Sequence, residues 1–254
     1  MLCMRARPFL TSTFSITFSP PKRIPRLRPR TFSVKPTMSS TVEHIVLFKV
    51  KSDTDQSKVN TMINNLNGLI SLDPVLHLTS GPVIRTGSSL FSFTHMLHSR
   101  YNSKDDLAAY SEHPDHMSVV KESVLPICED LMAVDWVADQ SPSPVAPPPG
   151  SAIRITFLKL KENLGEEVKN EILGVIKGIK ESFGGIDQLT CGENFSPARA
   201  KGFSIASIAV FKGVKEMEEA DSNEELVKLQ KEKIKDYIEG VIVVDYVVPS
   251  ASSL

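Results

Sequence analysis

Histidine is the residue type whose placement in this sequence most suggests chemistry. The six histidines all lie in the first half of the chain, at positions 44, 77, 95, 98, 113 and 116. A neutral imidazole exchanges a proton near neutral pH, which makes histidine the commonest general base in enzymes. Two of the six share the segment 110–116, which reads Tyr-Ser-Glu-His-Pro-Asp-His. This segment is therefore the first candidate for a catalytic or ligand-binding site.

Pro114 predicts how that segment folds. Proline is favoured in the first turn of a helix, so we expect His113 at the N-cap and His116 in the first turn. The free N–H groups and the positive end of the helix dipole disfavour an imidazolium there, so His116 is expected to be a neutral general base. The same N–H groups could stabilise a developing enolate or oxyanion. The alternative is that both histidines only cap and pack.

Two further histidines lie on predicted strands that are neighbours in the expected sheet. Side chains alternate along a strand, so His44 on the first strand and His95 on the strand within 89–101 can face the same side. Phe93 is expected on the face of His95, and His98 on the opposite face. The pattern therefore allows His44 and His95 to lie side by side.

Other kinds of site find less support in the sequence. His113 and His116 are spaced to share a metal ion, but no cysteine or close carboxylate completes a ligand set. No Gly-x-Ser-x-Gly elbow and no phosphate-binding glycine loop is present. Three widely spaced cysteines (Cys3, Cys128 and Cys191) give no disulfide framework or redox motif, which indicates a reducing compartment.

The elements that must position these residues occur twice. Residues 43–51 and 153–161 superpose when the sequence is shifted by 110, and the same shift places 133–137 on 243–247. A register held at both ends indicates a duplication. In this register three polar residues of the first copy are lost in the second: His44 becomes Arg154, Tyr110 becomes Ala220 and His116 becomes Leu226. One interpretation is drift at positions where histidine never mattered; the sharper one is that the first copy is the functional half and the second a scaffold.

Each copy reads strand, helix, strand or loop, strand, helix, strand. The first helix carries one apolar face, with residues such as Val59, Ile63 and Leu66 three or four apart. A βαββαβ unit forms a four-stranded antiparallel sheet with helices on one face, and two such sheets cover each other's open faces. The expected fold is therefore α+β: tandem ferredoxin-like domains forming a dimeric α/β-barrel-type pair within one chain.

The domain boundaries follow from changes in composition. We expect a disordered targeting leader at 1–40, domains at 42–138 and 151–248, a linker at 139–150 and a tail at 249–254. The linker segment 141–150 contains five prolines and should be an extended polyproline spacer of roughly 30 Å.

Both ends of the chain resemble targeting signals. Residues 1–42 hold eight basic residues, no acid and many serines and threonines, as in a plastid transit peptide. Met38 offers an internal start without the leader. The last three residues, Ser-Ser-Leu, resemble a peroxisomal signal that an import receptor reads. We expect the peroxisome first and the plastid as the alternative.

The net charge of the chain outside the leader indicates which classes of partner to expect. Of the 29 basic residues, eight lie in the leader, which leaves 21 against 30 acidic residues and a net charge of −9 for the rest. Nucleic acid is therefore not an expected partner. No apolar run reaches the length of a membrane span.

The sequence resembles the stress-responsive A/B barrel (Dabb) family of plants, two-domain peroxisomal type. The resemblance rests on Glu-His-Ile-Val-Leu-Phe-Lys (43–49), Phe-Thr-His (93–95), Tyr110 and His-Pro-Asp-His (113–116), and it covers 42–138 and, more weakly, 152–248. It implies a dimeric α/β barrel, stress-related heat-stable proteins and self-association.

A more distant resemblance is to olivetolic acid cyclase, which closes a polyketide by an intramolecular aldol condensation without a cofactor. It implies His116 as base and Tyr110 as the residue holding the carbonyl, with His44, His95 and His113 as ligand-binding residues. The first helix here has no tyrosine or bulky aromatics for that enzyme's acyl tail, so its substrate is not implied. The family also implies a cation, Mg²⁺, on main-chain carbonyls near Ile70, Asp73 and Leu76.

Three hypotheses follow. The preferred one is a stress-response barrel protein that binds a small apolar ligand in the first domain. The alternatives are a cofactor-free cyclase or isomerase that uses His116 on an acyl or polyketide substrate, and a purely structural heat-stable protein. A closed apolar cavity reaching His44, His95 and His116 would favour the first two, and solid packing there would favour the third.

Overall fold

The computed structural model describes residues 40–88, 91–223, 228 and 232–250. These residues belong to one compact unit that begins at Met38. The predicted leader up to residue 39, the final Ser-Ser-Leu and Leu226 lie outside the described residues. No helix in the described part of the chain is long and apolar enough to cross a bilayer.

The described residues of the first copy form five strands and three α-helices. Its elements are β1 (Val42–Val50), α1 (Gln56–Gly68), β2 (His77–Pro82), β3 (Arg85–Gly87), β4 (His95–Tyr101), α2 (Lys104–Glu112), α3 (Pro114–Val119) and β5 (Cys128–Val137). A 3-10 turn (Leu69–Ser71) extends α1 and a π-turn (Val120–Val124) extends α3. The helix predicted to start at Pro114 is confirmed, with His113 at its N-cap.

The described part of the second copy follows the order of β1, α1, β2, β4, α2 and β5. Its elements are β6 (Ala152–Leu160), α4 (Glu166–Ser182), β7 (Ile186–Glu193), β8 (Ile205–Phe211), α5 (Val214–Asp221) and β9 (Ile238–Val247). The two copies form antiparallel sheets with strand orders β2-β4-β1-β5 and β3-β9-β6-β8-β7. The tandem ferredoxin-like fold predicted from the sequence is confirmed.

The two copies exchange loops at their edges, which the sequence did not predict. Strand β3 of the first copy leaves its own sheet and pairs with β9 of the second, with Arg85 opposite Asp245. In return, Asn194 of the second copy forms an isolated bridge with Trp136 on β5. Each copy therefore supplies part of the other copy's edge.

The main core lies between the two sheets, because alternate side chains of every strand point inward. On β1, Ile45 and Leu47 join Trp136 and residues of the second copy in this inter-sheet core. Residues of the opposite parity face the helices: Val42 and Phe48 pack in a second core under α1 and α2.

Strand β4 begins later than predicted. The expected strand within 89–101 starts only at His95, and residues 91–94 form the connection before it. Because Phe93 precedes the strand, it packs in the inter-sheet core, whereas Leu97 packs under the helices. The expectation that Phe93 shares a face with His95 is therefore wrong.

Charged residues are buried within the inter-sheet core. The Glu43 carboxylate is fully buried and lies 2.7 Å from His98 Nε2. Arg100 Nε donates to the same carboxylate at 3.0 Å, and Thr190 Oγ1 of the second copy donates to it at 3.0 Å. We call Glu43, His77, His98 and Arg100 the inter-sheet cluster. It ties the two copies together through buried hydrogen bonds.

The proline-rich linker closes this cluster from outside. Gln188 Nε2 donates to the Pro144 carbonyl at 2.9 Å, and Arg100 Nη1 donates to the Val145 carbonyl. The linker bends at 143–146 to make these contacts. The linker is therefore not the straight extended spacer that its composition predicts, because its carbonyl groups accept hydrogen bonds from the side chains of Gln188 and Arg100.

Candidate functional site

The site begins with a pair of side chains on adjacent strands. His44 on β1 and Asp135 on β5 are direct cross-strand partners on the face that the helices cover. His44 Nδ1 forms a short hydrogen bond with the Asp135 carboxylate. Burial opposes ionisation of Asp135, but the His44 ring outweighs it and holds the pKa of Asp135 below its usual range. Asp135 is therefore a carboxylate at neutral pH.

Two tyrosines pack beside His44. The ring centroid of His44 lies 6.3 Å from both Tyr101 and Tyr110, and the two tyrosine rings are 5.3 Å apart. The Tyr101 hydroxyl hydrogen-bonds with Ser99 Oγ at 2.9 Å. Burial raises the pKa of both phenols. Both hydroxyls therefore keep their protons and can donate hydrogen bonds.

His116 completes the group. Its ring centroid lies 4.5 Å from that of Tyr110, and its Nδ1 lies 3.0 Å from the Ser111 carbonyl. A carbonyl only accepts, so Nδ1 carries the proton and Nε2 carries the lone pair. Burial lowers the pKa of His116, and nearby His44 and Arg199 add to this. A neutral His116 stays a prediction, which the lowered pKa supports, with burial rather than the helix dipole as the first cause.

We call His44, Tyr101, Tyr110, His116 and Asp135 the first-copy site. The helices α2 and α3 bring Tyr110 and His116 over the sheet. Ser103 caps α2 by accepting from the Asp106 N–H at 3.0 Å, and Pro114 starts α3. Together they fix the turn that holds the two side chains next to each other.

The second copy forms one wall of this site. Asn194 Oδ1 accepts from the Asp135 N–H at 3.1 Å, and the Phe195 N–H donates to the Asp135 carbonyl at 2.9 Å. The 3-10 turn Pro197–Arg199 then packs against β5. This turn brings the exposed Arg199 close enough to act electrostatically on Asp135 and His116. The second copy is therefore more than a scaffold.

The corresponding place in the second copy is closed by ion pairs. Arg154 and Asp245 are direct cross-strand partners, as His44 and Asp135 are. Arg154 Nε donates to Asp245 at 2.7 Å, and Arg154 Nη2 donates to Asp221 at 2.9 Å. Arg85 from the exchanged strand β3 contacts the same two carboxylates at 2.6 and 2.8 Å. Two arginines and two aspartates thus satisfy one another.

Both copies match one known protein family. The model of the Stress responsive A/B Barrel Domain matches residues 42–138 and again residues 153–248. The chain belongs to the stress-responsive A/B barrel family. Its tandem sheets and exchanged edges are the form that the family fold takes in this chain.

Named relatives and a solved structure agree with this assignment. A stress-response A/B barrel domain-containing protein from Arabidopsis thaliana is 58% identical, and the match covers 99% of this chain and 98% of that protein. A second protein of the same description and plant is 55% identical over 85% of this chain and all of that protein. A candidate monooxygenase from Fusobacterium nucleatum, 15% identical, matches with a TM-score of 0.56 over 84% of this chain and 94% of its own, which shows the fold alone.

In this A/B barrel His95 does not join the first-copy site. The pairing of β1 with β4 places Ser99 opposite His44 and Phe48 opposite His95. His95 is therefore four residues, or about 13 Å, further along the sheet. It shares a face with His44, as the alternation predicts, but the two do not lie side by side. Its Nδ1 lies 2.9 Å from Thr94 Oγ1.

His113 has a structural contact of its own. Its Nδ1 accepts from the Asp115 N–H at 3.2 Å, which caps α3. A ligand-binding role for His113, as the resemblance implies, stays a prediction.

The predicted cation site lies on the turn after α1. Leu72 and Val75 donate their N–H groups to the carbonyls of Leu69 and Leu72 at 3.2 and 3.0 Å. The carbonyls of Ile70, Asp73 and Leu76 belong to the same turn, where the Ile70 and Asp73 side chains are exposed. Carbonyls at a helix end are ligands that a hard cation accepts, and a Mg²⁺ ion at this turn, as the resemblance implies, stays a prediction. Among the described residues, no three histidines, cysteines or acids are grouped to hold a metal ion.

Two cavities of the barrel lie away from the first-copy site. One of about 580 Å³ lies beside the β3–β4 connection, between Lys49, Arg85 and Phe91. The other, of about 460 Å³, lies between α4 and the loop 191–195, beside Lys104 and Lys177. Neither is lined by His44, Tyr110 or His116. The tyrosines of the site are packed solidly, with Tyr110 only 1% exposed and Tyr101 fully buried. By the test stated above, this packing favours the purely structural hypothesis, and the partly buried His116 is the member of the site that a ligand could reach.

Sequence reasoning missed three members of this arrangement: Asp135, Tyr101 and Arg199. A signal for Asp135 was present, because the duplication places it on Asp245 and an aspartate retained in both copies marks a shared partner. Arg199 carried no such signal, since its position depends on the loop exchange.

Proposed function

We propose that this stress-response A/B barrel protein binds a small apolar ligand at the first-copy site. The ligand is expected to place one polar group against the Nε2 lone pair of His116, the partly buried hydrogen-bond acceptor of the site. Because Tyr110 is only 1% exposed, contact with its hydroxyl requires the side chains that cover it to move.

One observation carries this proposal: the same place is built differently in the two copies. In the second copy Arg154 reaches between Asp245 and Asp221, so the polar groups there are already paired. In the first copy His44 pairs with Asp135, and the neutral His116 keeps its Nε2 lone pair available. Hydrogen-bonding capacity that is satisfied in one copy and retained in the other supports ligand binding in the first.

A thermal-shift screen of residues 38–254 tests the proposal. The panel contains octanoic acid, 1-octanol, 2-octanone and 4-propylphenol, which differ in polar group. A ligand at a hundred times its dissociation constant stabilises the folded state by about 2.7 kcal/mol. For a protein of this size we expect Tm to rise by about 5 °C or more.

Two variants locate the effect. His116→Ala should fold but lose the shift, because it removes the accepting nitrogen. His95→Ala removes a histidine at the other end of the same sheet face and should keep the full shift. If the whole panel leaves Tm unchanged, or if His116→Ala responds like wild type, binding at this site is refuted and the purely structural alternative is the better account.

Turnover at the same site is a second candidate, and the tautomer of His116 favours it. With its proton on Nδ1 and a lowered pKa, His116 presents a basic Nε2 at neutral pH, as a cofactor-free cyclase or isomerase needs. A linear compound with 1,5-related ketone groups, 2,6-heptanedione, would be incubated with the protein and followed by chromatography and mass spectrometry. A cyclic product lighter by one water, as aldol condensation gives, that forms with wild type and not with His116→Ala would support catalysis, and an unchanged diketone would leave binding alone.

A further inference from the structure

A cavity of about 460 Å³ lies at the seam where β5 of the first copy meets β7 of the second. We call it the seam cavity. Its apolar wall comes from both copies: Val137 on β5, Leu173 on α4 and Phe195 just after β7. All three residues are only half-buried, so they offer apolar surface to the cavity. Its volume lies within the range of about 300–1,000 Å³ that is typical of small-molecule sites.

Gly192 lets the two copies approach each other at this seam. A Cβ atom at this position would lie 2.7 Å from the Val137 carbonyl oxygen and 2.9 Å from Trp136 Cδ1. Both distances are shorter than van der Waals contact, so only glycine fits. Gly192 also lines the cavity. The cavity is therefore a feature of the joined barrel and not of either copy by itself.

The acids that line the seam cavity already have partners. Asp139 Oδ2 lies 3.4 Å from Lys177 Nζ, and its Oδ1 accepts from the Cys191 N–H at 3.1 Å. The Glu193 carboxylate lies 3.1 Å from Lys169 Nζ. Each of the two carboxylates is thus paired with a lysine, so a cationic ligand would have to displace one of these lysines.

Lys104 is the cation of this lining that no acid neutralises. It is the first residue of α2, its side chain is exposed, and none of the ion pairs among the described residues includes it. Its Nζ lies 4.1 Å from the centroid of the Phe195 ring. This cation–π contact places the ammonium directly beside the apolar wall. An unpaired positive charge and apolar surface therefore meet in one cavity.

The corresponding helix positions of the other copy carry no such charges. In the 110-residue register Lys104 corresponds to Val214, and Lys177 corresponds to Asn67. The Asn67 side chain is already satisfied, because its Nδ2 donates to the Ser80 carbonyl at 3.0 Å and its Oδ1 accepts from the Ser80 N–H at 2.8 Å. The lysines are therefore particular to the seam between β5 and β7.

We propose that the seam cavity is a second binding site, which takes a small monocarboxylic acid with its carboxylate on Lys104 and its apolar body on the wall described above. The inference is independent of the proposed function, since no residue of the first-copy site lines this cavity. A carboxylate fits better than a phosphate monoester. One unpaired ammonium balances one negative charge, and the nearby carboxylates of Asp139 and Glu193 would repel a second.

Three probes that differ in one group test the inference: 4-phenylbutyrate, 4-phenylbutan-1-ol and 4-phenylbutylamine. Calorimetric titration of residues 38–254 at pH 7.5 would compare their affinities. Wild type should bind the acid most tightly and the amine least, and binding of the acid should weaken as salt rises, because salt screens exposed charges. In Lys104→Gln the affinity for the acid should fall roughly fivefold, as expected for one exposed charge contact, while that for the alcohol stays unchanged.

Two control variants locate the effect. Lys215→Gln removes a lysine of α5 that pairs with Glu219 and does not line the cavity, so it should bind the acid as wild type does. His116→Ala should also bind the acid as wild type does, because the first-copy site is separate. Equal binding of acid and alcohol by wild type, no binding of the acid, or a Lys104→Gln variant that keeps its affinity for the acid overturns the inference.

The same variants keep the two proposed sites apart. An acid that loses its affinity in His116→Ala is bound at the first-copy site, which overturns the seam cavity and leaves the proposed function standing. In the thermal-shift panel only octanoic acid is ionised at neutral pH. If the Tm shift of octanoic acid alone survives in His116→Ala and falls in Lys104→Gln, this acid binds at the seam cavity, and the uncharged probes report on the first-copy site.

Discussion

At the scale of single residues, the two copies solve one packing problem in two ways. In each copy the first strand pairs with the last strand, and an aspartate on the last strand lies opposite a basic residue on the first. The pair is His44 with Asp135 in the first copy and Arg154 with Asp245 in the second. A carboxylate buried beneath helices needs a charged or hydrogen-bonding partner. Histidine supplies it with a short ring that leaves room for Tyr110, whereas arginine fills the space itself. The choice of partner therefore distinguishes the first-copy site from the ion-paired place in the second copy.

Asp135→Asn tests the importance of this pair for stability. Removing one member of a largely buried pair should lower the free energy of unfolding by about 2–3 kcal/mol at pH 7. Because the folded-state pKa of Asp135 is lowered, its contribution is complete above the unfolded-state pKa of about 3.9 and is lost as pH falls through the folded-state value.

Urea unfolding at pH 7 and at lower pH measures both effects. The difference between Asp135→Asn and wild type should shrink below about pH 4. Asp130→Asn, which removes a partly exposed partner of Lys201, serves as control and should cost less than about 1 kcal/mol. A difference between Asp135→Asn and wild type that does not change with pH would contradict this account of the His44 pair.

Residue types and alternation could be predicted from the sequence, but residue contacts could not. The helix start at Pro114 and the shared face of His44 and His95 follow from local rules. The distance between those two histidines depends on strand register, which places His44 opposite Ser99 rather than near His95. Register is set by the whole sheet, so no local pattern reveals it.

At the scale of elements, strand β3 is the clearest departure from a simple tandem repeat. Three residues leave the first sheet and extend the second, where the Ile84 N–H also donates to the Asp245 carbonyl at 2.9 Å. Such a short strand has no periodicity to detect, so the sequence predicted only a strand or a loop there. Its consequence is that each site has a wall from the other copy.

Arginine variants measure how this element contributes. Arg154 is largely buried between Asp245 and Asp221, so Arg154→Gln should lower the free energy of unfolding by about 3 kcal/mol. Arg85 is 53% exposed, and Arg85→Gln leaves Asp245 paired with Arg154, so it should cost about 1 kcal/mol or less. Chemical denaturation measures both losses of unfolding free energy. A loss for Arg85→Gln equal to or larger than that for Arg154→Gln would contradict the view that Arg154 is the main partner of Asp245 and Asp221.

At the scale of the whole molecule, the inter-sheet cluster joins the copies into one barrel. Near neutral pH the buried Glu43 of this cluster is ionised and the buried His77 is neutral. Burial, with Arg100 and His98 nearby, lowers the pKa of His77 to about 3. Glu43 is desolvated, but Arg100 and His98 outweigh this and lower its pKa to about 2. The folded barrel therefore resists binding protons that the unfolded chain takes up.

Acid should therefore destabilise the barrel in two steps. His77 and His98 are both protonated in the unfolded chain below about pH 6.5. Burial lowers the pKa of both in the folded barrel, to about 3 for His77, so stability falls as pH drops below 6.5. Glu43 adds to the loss only below about 4.5. Unfolding is followed by the fluorescence of Trp136, the single tryptophan, which is fully buried.

His77→Gln measures the part of the first step that comes from His77. It should reduce the slope of stability against pH between 6 and 4.5 by about 1 kcal/mol per pH unit. Thr190→Val removes a hydrogen bond to Glu43 without removing a titrating group, so its curve should run parallel to wild type in this range. A His77→Gln curve that also runs parallel would mean that His77 is protonated in the folded barrel.

The measurement that tests the central claim most directly is a long-range ¹H–¹⁵N spectrum of the histidine rings, recorded while 4-propylphenol is added to residues 38–254. The account predicts that His116 starts as the tautomer with its proton on Nδ1 and that its ring signals move as the ligand binds. The signals of His77 and His98, enclosed between the sheets, should stay in place. Binding of 4-propylphenol that leaves His116 unmoved, or a His116 with its proton on Nε2, would contradict the claim that the first-copy site is where this barrel binds its ligand.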